Sequence, residues 1–213
     1  MKMEKGKFIT IEGPDGSGKT AQLDILADEF VQGGYPILRT REPGGTFIGD
    51  QIRATLLDLK NTSMVDRTEA LLYQAARAQL VDEIIKPHLA DGGIVLCDRY
   101  ADSTLAYQGY GHQNTVESLE GIIYYATGGL VPDLTLLLDL APEVGLERRL
   151  ADGGLNRLDA YDIDFHHRVR VGYHDLVKAD PGRWVIINAD QPFEQVQSEV
   201  REILLKKFAK WGY

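Results

Sequence analysis

Thr10–Thr20, TIEGPDGSGKT, holds Gly13, four further residues, then Gly18, Lys19 and Thr20, and so fits the P-loop pattern in full. In that pattern the backbone N–H groups of a glycine-rich turn point inward at the head of a helix, where the helix dipole also favours negative charge. A polyphosphate finds its partners ready-made there. Side chains at Gly16 and Gly18 would obstruct the approach of backbone to ligand, Lys19 can reach the β- and γ-phosphates, and the Thr20 hydroxyl can ligate Mg²⁺. The flanks supply the context the mechanism requires. Phe8, Ile9 and Ile11 read as a short buried strand ending at Glu12. Leu23, Leu26, Ala27, Phe30 and Val31 fall on one helical stripe before Gly33-Gly34 stops the helix. A glycine-rich turn matching by chance is the alternative.

The totals bound what surrounds this loop. At 213 residues the chain suffices for one well-buried α/β domain and is awkward to divide, so residues 1–213 are expected to form a single domain. A net charge of -9 and a pI near 5.0 argue against a nucleic acid polymer as partner, since a duplex binder needs a basic face. A small phosphorylated substrate needs only a local cluster of Arg and Lys. The single Cys97 fits a reducing compartment. No apolar run reaches membrane length, and MKMEKGKF lacks the apolar core of a secretory signal. No membrane partner and a cytoplasmic location are expected.

Outward from the loop, Pro36–Thr40 reads as a second strand that delivers Arg41, Glu42 and PGGT (43–46) to a loop, either a solvated turn or a ligand-facing one. A helix carrying Ile52, Arg53, Leu56 and Leu57 follows. Val65 to Leu89 is a long helical stretch ending at Pro87 or soon after. On it Tyr73 and Arg77 sit one turn apart, as a base-holding pair or as a core tyrosine beside a surface arginine. Ile94–Cys97 is an apolar run closing on Asp98 and Arg99. Parallel strands expose their carboxyl ends to the ligand crevice, so Asp98 should serve Mg²⁺ there, the alternative being a cap paired with Arg99. Tyr100–Gly111, if helical at its start, sets Ser103 beside Tyr107 and Thr104 beside Gln108, a surface for a neutral polar ligand or a polar loop. Leu134–Leu140 is another buried strand, and Pro142 opens a helix with Arg148 and Arg149. Ala151–Asp159, ADGGLNRLD, suits a lid or a mobile surface loop. In the next helix His166 and His167 read as solvated flank residues. Trp184–Asn188 is the last strand, followed by Asp190-Gln191-Pro192 and a terminal helix. Strands alternating with helices imply a doubly wound parallel sheet.

Four motifs now stand together: GPDGSGKT (13–20), TREPGGT (40–46), CDRYADSTLAYQG (97–109) and NRLD (156–159). In that order and spacing the chain resembles the bacterial thymidylate kinases, over about Lys7 to Phe208. The resemblance implies an α/β/α sandwich of the P-loop NTPase type, with a central five-stranded parallel sheet and a mobile lid at about 148–160. It implies transfer of the γ-phosphate of ATP to dTMP with Mg²⁺, and a homodimer. It places Gly13, Pro14, Asp15, Gly16, Ser17, Gly18, Lys19 and Thr20 on ATP, with Arg148, Arg149 and Arg157 from the lid and Asp190, Gln191 and Pro192 beside adenine. Asp15 would also touch the 3′-hydroxyl of dTMP. Arg53 and Arg99 would neutralise the dTMP phosphate, Arg41 and Glu42 would lie beside it, and Thr20, Asp98 and Glu42 would serve Mg²⁺. Arg77, Thr104 and Gln108 would hydrogen-bond thymine, with Ser103 also at dTMP, Tyr73 would stack on the base, and Tyr107 would crowd a ribose 2′-hydroxyl. Lys19, Asp98, Arg99 and Arg157 are the expected catalytic set, with Arg157 as the transition-state arginine.

Two departures from the family pattern stand out. Tyr73 replaces a common Phe, and Leu150, Ala151 and Asp152 occupy part of what is an arginine-rich run in some relatives. A kinase of another small acceptor is the nearest rival. A nucleotide-dependent switch is the other, but no NKxD motif occurs, and NADQ at 188–191 lacks its lysine.

Overall fold

A computed structural model describes residues 6–153 and 156–213. Met1–Lys5, part of the stretch read for a leader, and Gly154 and Leu155, within the expected lid, lie outside those residues. In chain order the elements are β1 (Lys7–Glu12), α1 (Lys19–Gln32), β2 (Ile37–Arg41), α2 (Phe47–Leu57), α3 (Asp66–Leu80), α4 (Lys86–Ala90) and β3 (Ile94–Asp98). Then follow α5 (Ala101–Thr104), α6 (Val116–Thr127), β4 (Leu134–Asp139), α7 (Pro142–Asp152), α8 (Ile163–Ala179), β5 (Trp184–Asn188) and α9 (Phe193–Trp211).

The strands form one five-stranded sheet in the order β2-β3-β1-β4-β5, parallel throughout. β1 lies at the centre, with Ile9 opposite Leu96 on one side and Leu134 on the other. Both faces are covered, which is why these strands are nearly continuous apolar runs. Ile9, Ile11, Leu96 and Leu136 pack toward Leu26 and Phe30 of α1 and Leu204 and Phe208 of α9. The alternate residues Phe8, Val95 and Cys97 face Leu80, Val81 and Ile85 on the other side, while Leu137 meets Tyr107, Phe165 and Tyr173. This is the α/β/α sandwich expected.

The long helical stretch runs to Ala90, just past Pro87, as expected, with one added detail: α3 passes through a π-helical turn at Val81–Ile85 into α4, which has Pro87 in its first turn. A proline lacks the N–H for the ordinary ladder and crowds the preceding turn, and a widened turn accommodates both. One local reading changes: His166 is not a solvated flank residue. It is 4% exposed, sits edge-on to Phe165, and has its pKa lowered by burial. His167, next to it, is exposed and pairs with Glu143 at 2.8 Å. Among the described residues no helix is long and apolar enough to cross a membrane.

Candidate active site

β1 ends at the glycine loop, which opens α1. Gly18 takes φ 85° with nothing within 4 Å of where a Cβ would stand, so it serves the left-handed turn and leaves the approach to the helix open. Gly16 has a reason beyond ligand approach. At φ 76° a Cβ there would overlap the Gly145 carbonyl, so the loop is seated against the first turn of α7. Lys19 folds back over the loop and donates to Gly13 O (2.9 Å), Pro14 O (2.7 Å) and Ser17 Oγ (3.1 Å). Burial, and after it the positive charge of Arg99, brings its pKa down to about 8.

Arg99 follows β3 with φ 67°, a conformation uncommon for a residue with a side chain, so its surroundings must hold it there. NH1 donates to Gly13 O (3.0 Å), Ser103 Oγ (3.2 Å) and Tyr173 Oη (3.1 Å). NH2 donates to Asp15 Oδ1 (2.7 Å) and Tyr107 Oη (3.1 Å). Tyr107 in turn donates to Asp15 Oδ2 at 2.7 Å, so the two residues expected at the sugar stand together. Burial alone would raise the Asp15 pKa, but the charges of Arg99 and Lys19 overcome it and hold it at about 2.

Behind this cluster stands Glu12, to which the motif reading gave no role. Its carboxylate accepts from Ser103 Oγ (2.5 Å), Tyr173 Oη (2.9 Å) and the backbone N–H of Tyr100 (2.7 Å). Ser103 and Tyr173 are the same hydroxyls that receive Arg99, so Glu12 orients its cage. Burial, with the charge of Asp102 next, pushes the Glu12 pKa up to about 7. Its place at the carboxyl end of a parallel strand was the available signal. Tyr173 lies 161 residues away, in the middle of α8, where its spacing from Phe165 and Val169 marks no more than a core position.

Thr20 Oγ1 donates to Asp98 Oδ2 at 2.5 Å, while Asp98 Oδ1 and Glu42 Oε1 are buried without a hydrogen-bond partner. The backbone N–H of Glu42 bonds to Asp98 O at 2.9 Å, so β2 and β3 present both carboxylates at adjacent ends. Unpaired carboxylate oxygens beside a hydroxyl fit a hard cation. Among the described residues no three His, Cys, Asp or Glu side chains group to hold a metal by themselves. Phosphate oxygens and water would complete the shell, as suits Mg²⁺.

One cavity of about 1090 Å³ joins these parts. The loop from Asp15 to Thr20 lines its centre. On one flank it reaches Arg41, Glu42, Arg53 and Tyr73, and beyond Arg99 it reaches Ser103, Thr104, Tyr107 and Gln108 from α5 and the π-helical Leu105–Gly111. Burial, then the charge of Arg41, lowers the pKa of Arg53; a bound anion would relieve both cations. On the other flank the cavity reaches Arg148, Arg149 and Gln191, together with Phe193 and Val196 of α9, which motif reading missed because they resemble ordinary core positions of a helix. Gly13 and Pro14 contribute carbonyls to Lys19 and do not line the cavity. Asp190 instead lies 3.8 Å from Arg148, and Pro192 caps α9.

Two further expected site residues do not line the cavity. Arg77 is 1% exposed and lies behind the cavity wall. Its Nε and NH2 meet Glu42 Oε2 (2.8 and 2.6 Å), NH2 also donates to Tyr100 O (2.9 Å), and NH1 donates to Gln74 Oε1 (2.7 Å) and Thr104 Oγ1 (3.0 Å). All five N–H groups have partners in this ligand-free arrangement. Arg157 is 7% exposed and also off the cavity, bonded to Leu56 O (3.0 Å), Tyr161 Oη (3.0 Å) and Glu69 Oε2 (2.5 Å). The cause is the same in both cases: a buried carboxylate, Glu42 or Glu69, requires a counter-charge more strongly than the open cavity does. Arg148 and Arg149 stay at the cavity. Arg148 donates to Ala189 O at 3.1 Å, and Arg149 to Asp159 Oδ2 at 2.9 Å.

The thymidylate kinase family model matches residues 11–200. A thymidylate kinase of Roseiflexus castenholzii is 49% identical over 210 residues, covering 92% of each chain. One from an Exiguobacterium species is 47% identical over 207 residues, covering 97% of this chain and 98% of that one. The crystal structure of thymidylate kinase from Ehrlichia chaffeensis superposes with a TM-score of 0.77 at 32% identity, covering 94% of this chain and all of the other. With the loop, the Arg99 cluster and the joined cavity, these likenesses leave one conclusion: the chain belongs to the thymidylate kinase family.

Proposed function

We infer that the chain, acting as a single nucleotide-kinase domain, transfers the γ-phosphate of ATP to dTMP and releases ADP and dTDP, a step of dTTP biosynthesis. The observation that carries this is the continuity of the cavity: the phosphate loop and the polar wall of Thr104 and Gln108 open into one space with Arg99 between them. Phosphoryl transfer asks little covalent chemistry of a protein, so catalysis is positioning plus neutralisation of spreading charge. The attacking dTMP oxygen is already ionised and needs no general base. The loop N–H groups and Lys19 hold the donor phosphates, Arg41 and Arg53 hold the acceptor phosphate, and Arg99 reaches between them. Asp15 and Tyr107 receive the sugar, Tyr73 stacks on thymine, and Gln191 with Phe193 borders adenine.

Thr20 and Asp98 would hold Mg²⁺, with Glu42 beside them, on the support of the unpaired buried oxygens of Asp98 and Glu42; the ion would supply positive charge against that of the phosphates.

The segment at about 148–160 acts as a lid, and its transition-state charge comes from Arg148 or Arg149 in place of Arg157. Arg149→Ala and Arg148→Ala, measured separately, should include one variant that lowers kcat about 10²-fold with little change in dTMP KM. Unchanged kcat in both would remove the lid from the chemistry.

A homodimer is proposed because α2, α3 and α6, which pack together, expose Phe47, Leu71, Tyr124 and Tyr125; light scattering at the monomer mass would contradict it. Cytoplasmic location rests on Cys97, a lone buried thiol suited to a reducing compartment.

The deciding experiment is ADP release with ATP and Mg²⁺, comparing dTMP with dUMP, dCMP, dGMP, AMP and thymidine. Strong preference for dTMP is expected. A better acceptor among the others would overturn the base pocket, and no turnover with any would favour a binding module.

A further inference from the structure

Glu12 closes β1 and is fully buried behind Arg99, and in its ionised form the hydrogens around it fall one short. Three oxygens make a triangle there. Glu12 Oε2 lies 2.5 Å from Ser103 Oγ and 2.9 Å from Tyr173 Oη, and those two hydroxyls lie 2.9 Å from each other. Each edge is a hydrogen-bond distance and needs one hydrogen. The serine and the tyrosine bring one each, and an ionised carboxylate brings none. If both hydroxyls donate to Glu12, the edge between them is two bare oxygens.

A proton on Glu12 Oε2 supplies the third hydrogen. The ring then runs one way, from Glu12 to Ser103, from Ser103 to Tyr173 and from Tyr173 back to Glu12. Each hydroxyl oxygen keeps one acceptor position, and Arg99 NH1 fills both, at 3.2 Å on Ser103 and 3.1 Å on Tyr173. Glu12 Oε1, the carbonyl oxygen of the neutral acid, still accepts from the Tyr100 N–H at 2.7 Å. Every donor and acceptor in the cage is matched only in this form.

The charges that face Glu12 are mostly committed elsewhere. Arg77 of α3 is paired with Glu42 and Asp102 of α5 with Arg183, each at 2.6 Å. Burial pushes the Cys97 thiol of β3 and the Tyr173 hydroxyl of α8 well up, so both stay neutral. Lys19 of α1 and Arg99 are the cations beside it, and Arg99 is already offset by Asp15 at 2.7 Å. Burial of Glu12, and then the charge of Asp102, outweighs the pull of Arg99 and pushes its pKa up to about 7. The ring proton is therefore exchangeable near neutrality, and negative charge arriving at Arg99 favours keeping it.

We propose that Glu12 is a positioning residue that works in its neutral form: its carboxyl proton closes the ring with Ser103 and Tyr173 that fixes Arg99, and binding of dTMP draws that proton from solvent. This rests on Arg99 standing between the phosphates of ATP and dTMP, as inferred above. Glu12 itself need touch neither nucleotide.

The test is proton uptake on dTMP binding without ATP, by calorimetry at about pH 7.5 in two buffers of different ionisation enthalpy. The unaltered chain should take up about half a proton or more per dTMP. Glu12→Gln is neutral at every pH and still donates to the hydroxyls, so its uptake should fall to about a quarter of a proton or less, the share left to Lys19 with its pKa of about 8. Between about pH 7 and 8 the dTMP Kd should weaken about fivefold in the unaltered chain and within about twofold in Glu12→Gln. At saturating ATP, kcat in Glu12→Ala should lie about tenfold or more below that of Glu12→Gln, because only the amide still holds the two hydroxyls. Equal uptake in the unaltered chain and Glu12→Gln, or equal kcat in the two variants, overturns the proposal. If Glu12→Gln does not fold, infrared difference spectra of the unaltered chain with ¹³C-labelled glutamate decide it. Adding dTMP should raise a protonated-carboxyl band that shifts with the label and persists in Glu42→Gln; absence of the band overturns the proposal. Failure of the unaltered chain to phosphorylate dTMP would bring down the function and this proposal together. Good turnover with equal uptake would bring down only this one.

Discussion

Arg99→Ala should lower kcat by about 10³-fold or more, the range over which a single arginine supplies charge stabilisation in phosphoryl transfer. The physical basis is its position. The guanidinium spans Gly13 of the phosphate loop, Asp15, and the hydroxyls of Ser103, Tyr107 and Tyr173, so it stands between the proposed donor and acceptor sites. ATP affinity should change much less than kcat, because Lys19 and the loop N–H groups remain. It should still fall somewhat, since Arg99 also supports the Gly13 carbonyl. Arg99→Lys should recover little, because an ammonium cannot reproduce the planar fork that reaches five oxygens at once. Single-turnover phosphate transfer, measured beside ATP binding, checks this; a loss of ATP affinity as large as the loss in kcat would place Arg99 on the donor instead.

Lys19→Met should lower kcat/KM for ATP by a similar factor, about 10³-fold, and the residue also carries a pH signature. Without ligand its pKa is about 8, because burial and Arg99 both oppose its charge. Triphosphate brings negative charge beside it and raises that pKa. Below pH 8 Lys19 is already protonated and binding takes up no proton there. Above pH 8 the free enzyme has lost the proton, so ATP binding must take it up, and apparent affinity should fall by up to about tenfold per pH unit. Calorimetry at pH 9 in two buffers of different ionisation enthalpy should show an uptake that is absent in Lys19→Met. Equal heats in the two buffers would contradict the depressed pKa.

The legible parts of the molecule were local. Strand ends at Glu12, Asp98 and Asn188 follow from apolar runs meeting polar residues, and the loop after β1 follows from glycine spacing. The Ser103–Gln108 surface was legible because helical spacing alone places those side chains together. Even the sheet's parallel character follows from alternation of strands and helices, since a parallel pair needs a crossover.

What the chain's order of residues determined by itself was therefore the elements, their sequence and the chemistry available at their ends. Where each long cation goes was decided only by the tertiary structure. Arg157 stands in the NRLD motif and Arg77 one turn from Tyr73, both at positions expected to face a ligand, yet each turns to a buried glutamate 88 or 35 residues away. Arg99 reaches its aspartate across 84 residues and lies in the cavity as expected. Nothing local separates the three cases. The difference is desolvation: the Glu42 and Glu69 side chains are almost wholly buried, Glu42 at the cavity's edge, and each is neutralised by an arginine from behind the wall; which carboxylates become buried is a property of how distant helices pack.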